Sequence, residues 1–66
     1  MENAVDINSA SSKELETLPG VGEKTARKII EYREKFGKFR RVEHLILVDG
    51  ISDRRFRKMR SMIRVR

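Results

Sequence analysis

Apolar residues fall in short clusters along the chain, and most clusters carry helical spacing. Leu15 and Leu18 stand three apart and predict a short first helix over about residues 12–18. Ala26, Ile29 and Ile30 form a stripe that predicts the longest helix, from Glu23 to Phe36. Val42, Leu45 and Ile46 predict a second short helix over about 42–47, and Phe56, Met59 and Ile63 a last helix over about 53–64. No stretch alternates polar and apolar for a useful length, so no strand is expected, and the polar residues 1–6 are expected to be frayed and flexible.

The breaks between these clusters have their own chemistry. Ser11-Ser12-Lys13-Glu14 has capping-box spacing, in which a serine hydroxyl accepts from the backbone three residues on while Glu14 reaches back. Pro19-Gly20-Val21-Gly22 supplies a missing amide hydrogen and two glycines tolerant of positive φ, so a sharp turn is expected there. Glu23 falls in the first turn of the long helix, where negative charge is favoured, and Gly37 fits a left-handed cap at its end. Asp49-Gly50-Ile51-Ser52 forms a second turn, with Ser52 placed to cap the last helix. Phe39 lies in the linker as a plug between the two halves. Phe36, Phe56, Met59 and Ile63 are assigned to the core with it, Tyr32 to the core edge with its hydroxyl in water, and His44 to an exposed helical position.

Sliding the sequence by 30 residues superimposes the two halves. Leu15 falls on Leu45, Leu18 on Val48, Gly20 on Gly50, Val21 on Ile51, Lys24 on Arg54, Arg27 on Arg57, Lys28 on Lys58 and Ile29 on Met59. Each half reads as a short helix, a glycine turn and a longer helix, with the first hairpin over about 12–36 and the second over about 42–64. Neither half can bury its apolar face alone, so the two are expected to share one core by pseudo-twofold packing. The expected fold is all-α, a compact bundle of four to five helices in a single domain spanning residues 1–66.

Sixty-six residues allow one small core, of roughly 3–5 kcal/mol net stability, and the absence of cysteine removes disulfides and thiolate metal sites as support. His44 is the sole histidine and no carboxylate cluster accompanies it, so neither a metal nor a cofactor is expected. The net charge is +6, unevenly spread: residues 1–33 hold five basic and six acidic side chains, residues 34–66 eleven basic and four acidic. Nucleic acid is the commonest partner for such a domain, with an anionic membrane next.

The run Leu15-x-x-Leu18-Pro19-Gly20-Val21-Gly22-x-x-x-Ala26-x-x-Ile29-Ile30 resembles a helix-hairpin-helix motif. Ile7-Asn8-Ser9-Ala10 before it, and Tyr32-Arg33 with Gly37-x-Phe39-x-x-Val42-Glu43-x-Leu45 after it, are similar to the ComEA-type competence proteins over about residues 5–64. The resemblance implies a tandem helix-hairpin-helix domain that binds double-stranded DNA across the minor groove without catalysis, as in DNA uptake, or as an accessory grip in DNA repair proteins, nucleases and chromosome-associated motors. The second hairpin departs from the motif: Gly50-Ile51-Ser52 lacks the second glycine, and Asp49 stands beside its turn.

A helix N-terminus exposes unpaired amides and the positive end of its dipole, and Gly20 and Gly22 leave an oxyanion room to approach them. Val21 anchors the loop inward, and Lys24, with Thr25 beside it, lies one turn into the helix. Gly50, Ile51, Ser52, Arg54 and Arg55 are the equivalents in the second hairpin. Two such sites suit the two strands of a duplex. There is no recognition-helix pattern and no second aromatic placed beside Tyr32 for stacking, so affinity is expected from counterion release. The bland readings are a plain interhelical turn at Gly20 and Gly22, and a solvated face at Arg54-Arg55-Phe56-Arg57-Lys58; for Arg40-Arg41 DNA contact and solvation stay equally open.

Other functions remain in view. A protein-interaction or scaffolding module, as in the similar PsbU-type extrinsic proteins of photosystem II, uses such a fold without DNA. A membrane-surface helix over 53–66 would need the apolar stripe that the core also needs. No nucleophile–base pair, metal cluster or paired catalytic carboxylates can be assembled, so enzymatic activity is not expected. The longest apolar run, Leu45 to Val48, is too short to span a bilayer, and the N-terminal stretch lacks the apolar run of a signal peptide. A monomer is expected, with other domains of a larger protein as further partners. The compartment is left open: periplasm or cell surface for a piece of a competence protein, cytoplasm otherwise.

Overall fold

A computed structural model of the chain describes residues 4–66. The capping box forms in both directions: the Glu14 amide donates to Ser11 Oγ at 3.2 Å, and the Ser11 amide donates to Glu14 Oε1 at 3.0 Å. This starts helix α1, Ser12–Leu15. The helix is shorter than the periodicity predicts, because the chain then tightens through Thr17 N–H to Glu14 C=O and Leu18 N–H to Leu15 C=O, each 3.1 Å. Leu18 is still delivered to the core. Helix α2, Glu23–Phe36, has the predicted bounds. Gly37 ends it with φ +91 and ψ −176, so φ is positive as expected while the extended ψ sends the chain straight into the linker instead of a compact left-handed cap.

The next element, Val42–Leu47, is a 3-10 helix, the form that short helical pieces commonly take. Helix α3 covers Asp53–Met59 and passes through a 3-10 turn, Arg60–Met62. Here the expectation of one helix over 53–64 is corrected, and so is the expectation of no strand. Ile63–Arg64 is a strand, β2, paired in parallel with β1, Val5–Asp6. The physical reason is burial. Ile63 reaches the core at 6% exposure from extended backbone, so its spacing from Met59 mimics a helical stripe without being one. The pairing also corrects the expected fraying at Val5 and Asp6; the part of that expectation on residues 1–3 lies outside the described residues.

Ile7, Leu15, Ile29, Leu45 and Met59 are fully enclosed and come from every part of the chain. Phe39 is buried as the predicted plug, and Asn8 holds it there: Phe39 N–H donates to Asn8 Oδ1 at 2.7 Å, and Asn8 Nδ2 donates to the Phe39 carbonyl at 3.0 Å. Tyr32 sits half-buried and stacks on Phe39, with ring centroids 5.0 Å apart, which corrects the expectation that no second aromatic stands beside it: the turn after Gly37 brings Phe39 back against α2. Phe36 was expected in the core and is instead 65% exposed. It is the last residue of α2, beyond the bulk of the core, and leans on Tyr32 at 4.7 Å. His44, expected exposed, is half-buried in the 3-10 segment. No helix among the described residues is long and apolar enough to cross a membrane.

Candidate nucleic-acid interface

Gly20 and Gly50 both have positive φ, +79 and +98, which side-chain-bearing residues rarely adopt. In each turn the next residue points inward: Val21 and Ile51 are buried at 6% and 4%, and their amides donate to the carbonyls of Leu18 and Val48 at 3.1 Å. These two residues fix the loops and have little surface of their own. Each loop then opens a helix whose first closing bond runs from Ala26 N–H to Gly22 C=O and from Phe56 N–H to Ser52 C=O, both 2.9 Å. Gly20, Gly22, Gly50 and Ser52 are all exposed.

The two loops lie against each other through a reciprocal contact. The Arg55 guanidinium donates to the Gly20 carbonyl at 3.3 Å, and its methylene groups cover the space where a Gly20 side chain would stand. Thr25 covers the corresponding space at Gly50, by packing alone, with its hydroxyl oxygen 3.6 Å from the position of a Cβ there. Residues 25 and 55 are separated by the same 30-residue shift as Gly20 and Gly50. Sequence reasoning placed both residues among phosphate ligands and missed this bridging position; the shift itself was the signal that could have found it.

Gly22 poses a different question. Its backbone, φ −97 and ψ −172, is open to any residue, and a Cβ built there meets nothing within 4 Å. Neither conformation nor internal packing therefore requires glycine. A glycine at this helix start leaves the approach to the first-turn amides clear from outside, and no side chain caps them. At Ser52 the hydroxyl oxygen accepts from the Arg55 amide at 3.2 Å, so the second helix start has one amide fewer to offer.

Charge around the loops is partly self-neutralised. Glu23 pairs with Arg27 at 3.4 Å, Asp53 with Arg57 at 3.1 Å, and Asp49, beside Gly50, with Lys28 at 2.9 Å. The Lys28 ammonium donates to Asp49 and holds its carboxyl below the usual carboxylate range, helped by the Gly50 amide and opposed by slight desolvation. Lys24 and Arg54 are exposed and, among the described residues, take part in no ion pair. Among the same residues no group of histidine, cysteine or carboxylate side chains is arranged to hold a metal.

Comparison with known proteins agrees with this arrangement. The family model for the helix-hairpin-helix motif matches residues 2–64. The chain is 42% identical to ComE operon protein 1 of Bacillus subtilis over 62 residues, which is 94% of this chain and 30% of that protein. It is 50% identical over 50 residues to the human endonuclease/exonuclease/phosphatase family domain-containing protein 1, covering 76% of this chain and 9% of that protein. An uncharacterized protein of Haemophilus influenzae is 38% identical over 64 residues, covering 96% of this chain and 57% of that one. The chain belongs to the helix-hairpin-helix family, with a ComEA-type arrangement. It spans only part of these relatives, from about a tenth to little more than half of their length.

Proposed function

We propose that this chain is a single, duplicated helix-hairpin-helix domain that grips double-stranded DNA by its phosphates without reading sequence and without catalysing a reaction. The observation that carries the proposal is the reciprocal contact of Arg55 with Gly20 and Thr25 with Gly50. Contacts in which each half gives the other the same position support a twofold relation between them. A pseudo-twofold pair of helix starts suits the antiparallel strands of a duplex, one hairpin to each backbone across the minor groove.

In this reading Gly20, Gly22, Gly50 and Ser52 line the approach, and Val21 and Ile51 hold the loops rigid from inside. Lys24 and Arg54 add the charged contacts. Thr25 and Arg55 set the spacing between the hairpins, and Arg55 retains donors beyond the one it spends on Gly20. The open glycine at Gly22, which nothing internal demands, supports the reading directly. The name of the Bacillus subtilis relative and the family match support a role in DNA uptake, with repair as the wider alternative.

A titration of unrelated duplexes over a range of salt tests this. For about 4–6 phosphate contacts, log affinity should fall against log salt with a slope of roughly −4 to −5, similar for every sequence. A strong sequence preference, or a slope near zero, would reject it. The scaffolding alternative predicts no duplex binding near physiological salt.

A further inference from the structure

Phe36 is the most exposed of the large apolar side chains, and the hairpin grip does not use it. It ends α2, whose 14 residues carry it about 20 Å along the axis from the hairpin end. Beyond Gly37 the chain enters the linker, where Phe36, Lys38, Arg40, Val65 and Arg66 wall an open cleft of about 660 Å³. Three cationic side chains line it and no acidic side chain does. Among the described residues none of those cations takes part in an ion pair, and the Lys35 ammonium lies over the Phe36 ring, 5.5 Å from its centroid, on a long side chain that an entering base displaces. The ring has firm support, since Tyr32 braces it and is itself stacked on Phe39, which Asn8 clamps through two hydrogen bonds.

Unneutralised cations of one sign call for a polyanion, and an exposed ring calls for a flat apolar partner. A duplex offers phosphates but keeps its base faces stacked inside. A single strand offers both, and pairing a positive groove with an aromatic side chain is the chemistry that binds it. We propose that this cleft is a second nucleic-acid site, specific for single-stranded segments, in which an unpaired base stacks on Phe36 while neighbouring phosphates lie against Lys38, Arg40 and Arg66. The site is independent of the hairpin reading, because Gly20, Gly22 and Gly50 take no part in it. An anionic membrane is a poorer match, since one ring beside the half-buried Val65 gives little apolar surface to insert.

The chain has no tryptophan, so Phe36→Trp installs a single indole in the cleft, excited selectively over Tyr32. Titrating that variant with a thymidine 12-mer should quench its emission as a base stacks on the indole. By anisotropy, Phe36→Ala and Phe36→Leu should each weaken binding of the same oligomer about tenfold. Both should leave blunt-duplex affinity unchanged, and Phe36→Leu keeps the apolar bulk so that folding is not in question. The double variant Lys38→Ala/Arg40→Ala should shrink the single-strand salt slope by roughly 1.5. The proposal is overturned if Phe36→Leu binds the oligomer as tightly as the parent, or if Gly22→Ser weakens single-strand binding as much as duplex binding. Response of the tryptophan to phosphatidylserine vesicles and not to the oligomer would overturn it too. Failure of the parent chain to bind duplex, with the oligomer still bound, would reject the hairpin reading alone.

Discussion

The two hairpins make the same turn and begin their helices differently. The first opens α2 from Gly22 with no side-chain cap; the second opens α3 from Ser52, whose hydroxyl takes the Arg55 amide. Helix length explains why each can do so. α2 has 14 residues and many internal bonds, so it tolerates a bare start, whereas α3 has seven and gains more from a cap. The loop flanks differ in the same sense. Pro19 precedes the first glycine, while Asp49 precedes the second, its carboxylate paired with Lys28 and helped by the Gly50 amide. The first hairpin thus keeps its amides open, and the second gives some of that openness up for local stability.

The largest effects should come from the feature the hairpins share. Gly20→Val or Gly50→Val forces a β-branched residue into positive φ, costing about 1–2 kcal/mol or more of a small total stability. Thermal melting should register the loss, and duplex affinity measured below the melting range should fall by more than about tenfold. Lys13→Ala, remote from both turns, should leave affinity unchanged. A Gly20→Val protein that melts lower yet binds as before would separate the turn from the grip and reject the latter. Next in size are Lys24→Ala and Arg54→Ala, each removing one free cation. Each should weaken binding uniformly across sequences and reduce the salt slope by about 1. A variant with unchanged slope makes no phosphate contact.

Much of this architecture was legible because glycine and apolar positions recur together. The bounds of α2 followed from its stripe, and the repeat placed Leu15 with Leu45 and Val21 with Ile51, all of them buried. The failures are where tertiary pairing overrides local pattern. Ile63 keeps helical spacing yet is drawn into a strand by Val5 and Asp6, whose partners lie 58 residues away in register. Phe36 has core composition, but one residue more or less at the end of α2 decides whether a ring is covered, and periodicity does not resolve that. Asn8 stood out only within the run Ile7-Asn8-Ser9-Ala10 and with no role, because an amide clamping a distant backbone is invisible without the fold. At the candidate site, the glycines were identifiable from turn chemistry, while the bridging position of Thr25 and Arg55 needed the two hairpins set side by side.

Exchanging the helix starts sharpens the comparison. Gly22→Ser gives the first helix a hydroxyl that can accept from the Thr25 amide, at a backbone conformation already extended and with open space around the new side chain. Stability should rise by a few tenths of a kcal/mol while duplex affinity drops about threefold. Ser52→Gly should do the reverse, lowering the melting temperature slightly and raising affinity. Calorimetry and anisotropy on the same samples read both quantities. Two substitutions that move stability and affinity in the same direction would show that the cap and the approach path are unrelated.

The smallest effect should come from the flank of the second hairpin. Asp49→Asn removes a charge beside Gly50 and releases Lys28, so duplex affinity should rise by roughly two- to threefold, within the range of an exposed ion pair. Lys28→Ala leaves the carboxylate bare and should lower affinity instead. The pH dependence has a definite sign. Because Lys28 holds the folded carboxyl below its ordinary value of 3.8, the pair contributes fully above that value and is lost only as pH falls through the depressed folded one. Carboxylate chemical shifts should place the Asp49 midpoint below 3.8 in the parent and move it upward in Lys28→Ala. If the midpoint does not move, Lys28 is not what restrains this charge. The second hairpin would then carry an unrestrained charge beside Gly50 in addition to its weaker amide supply.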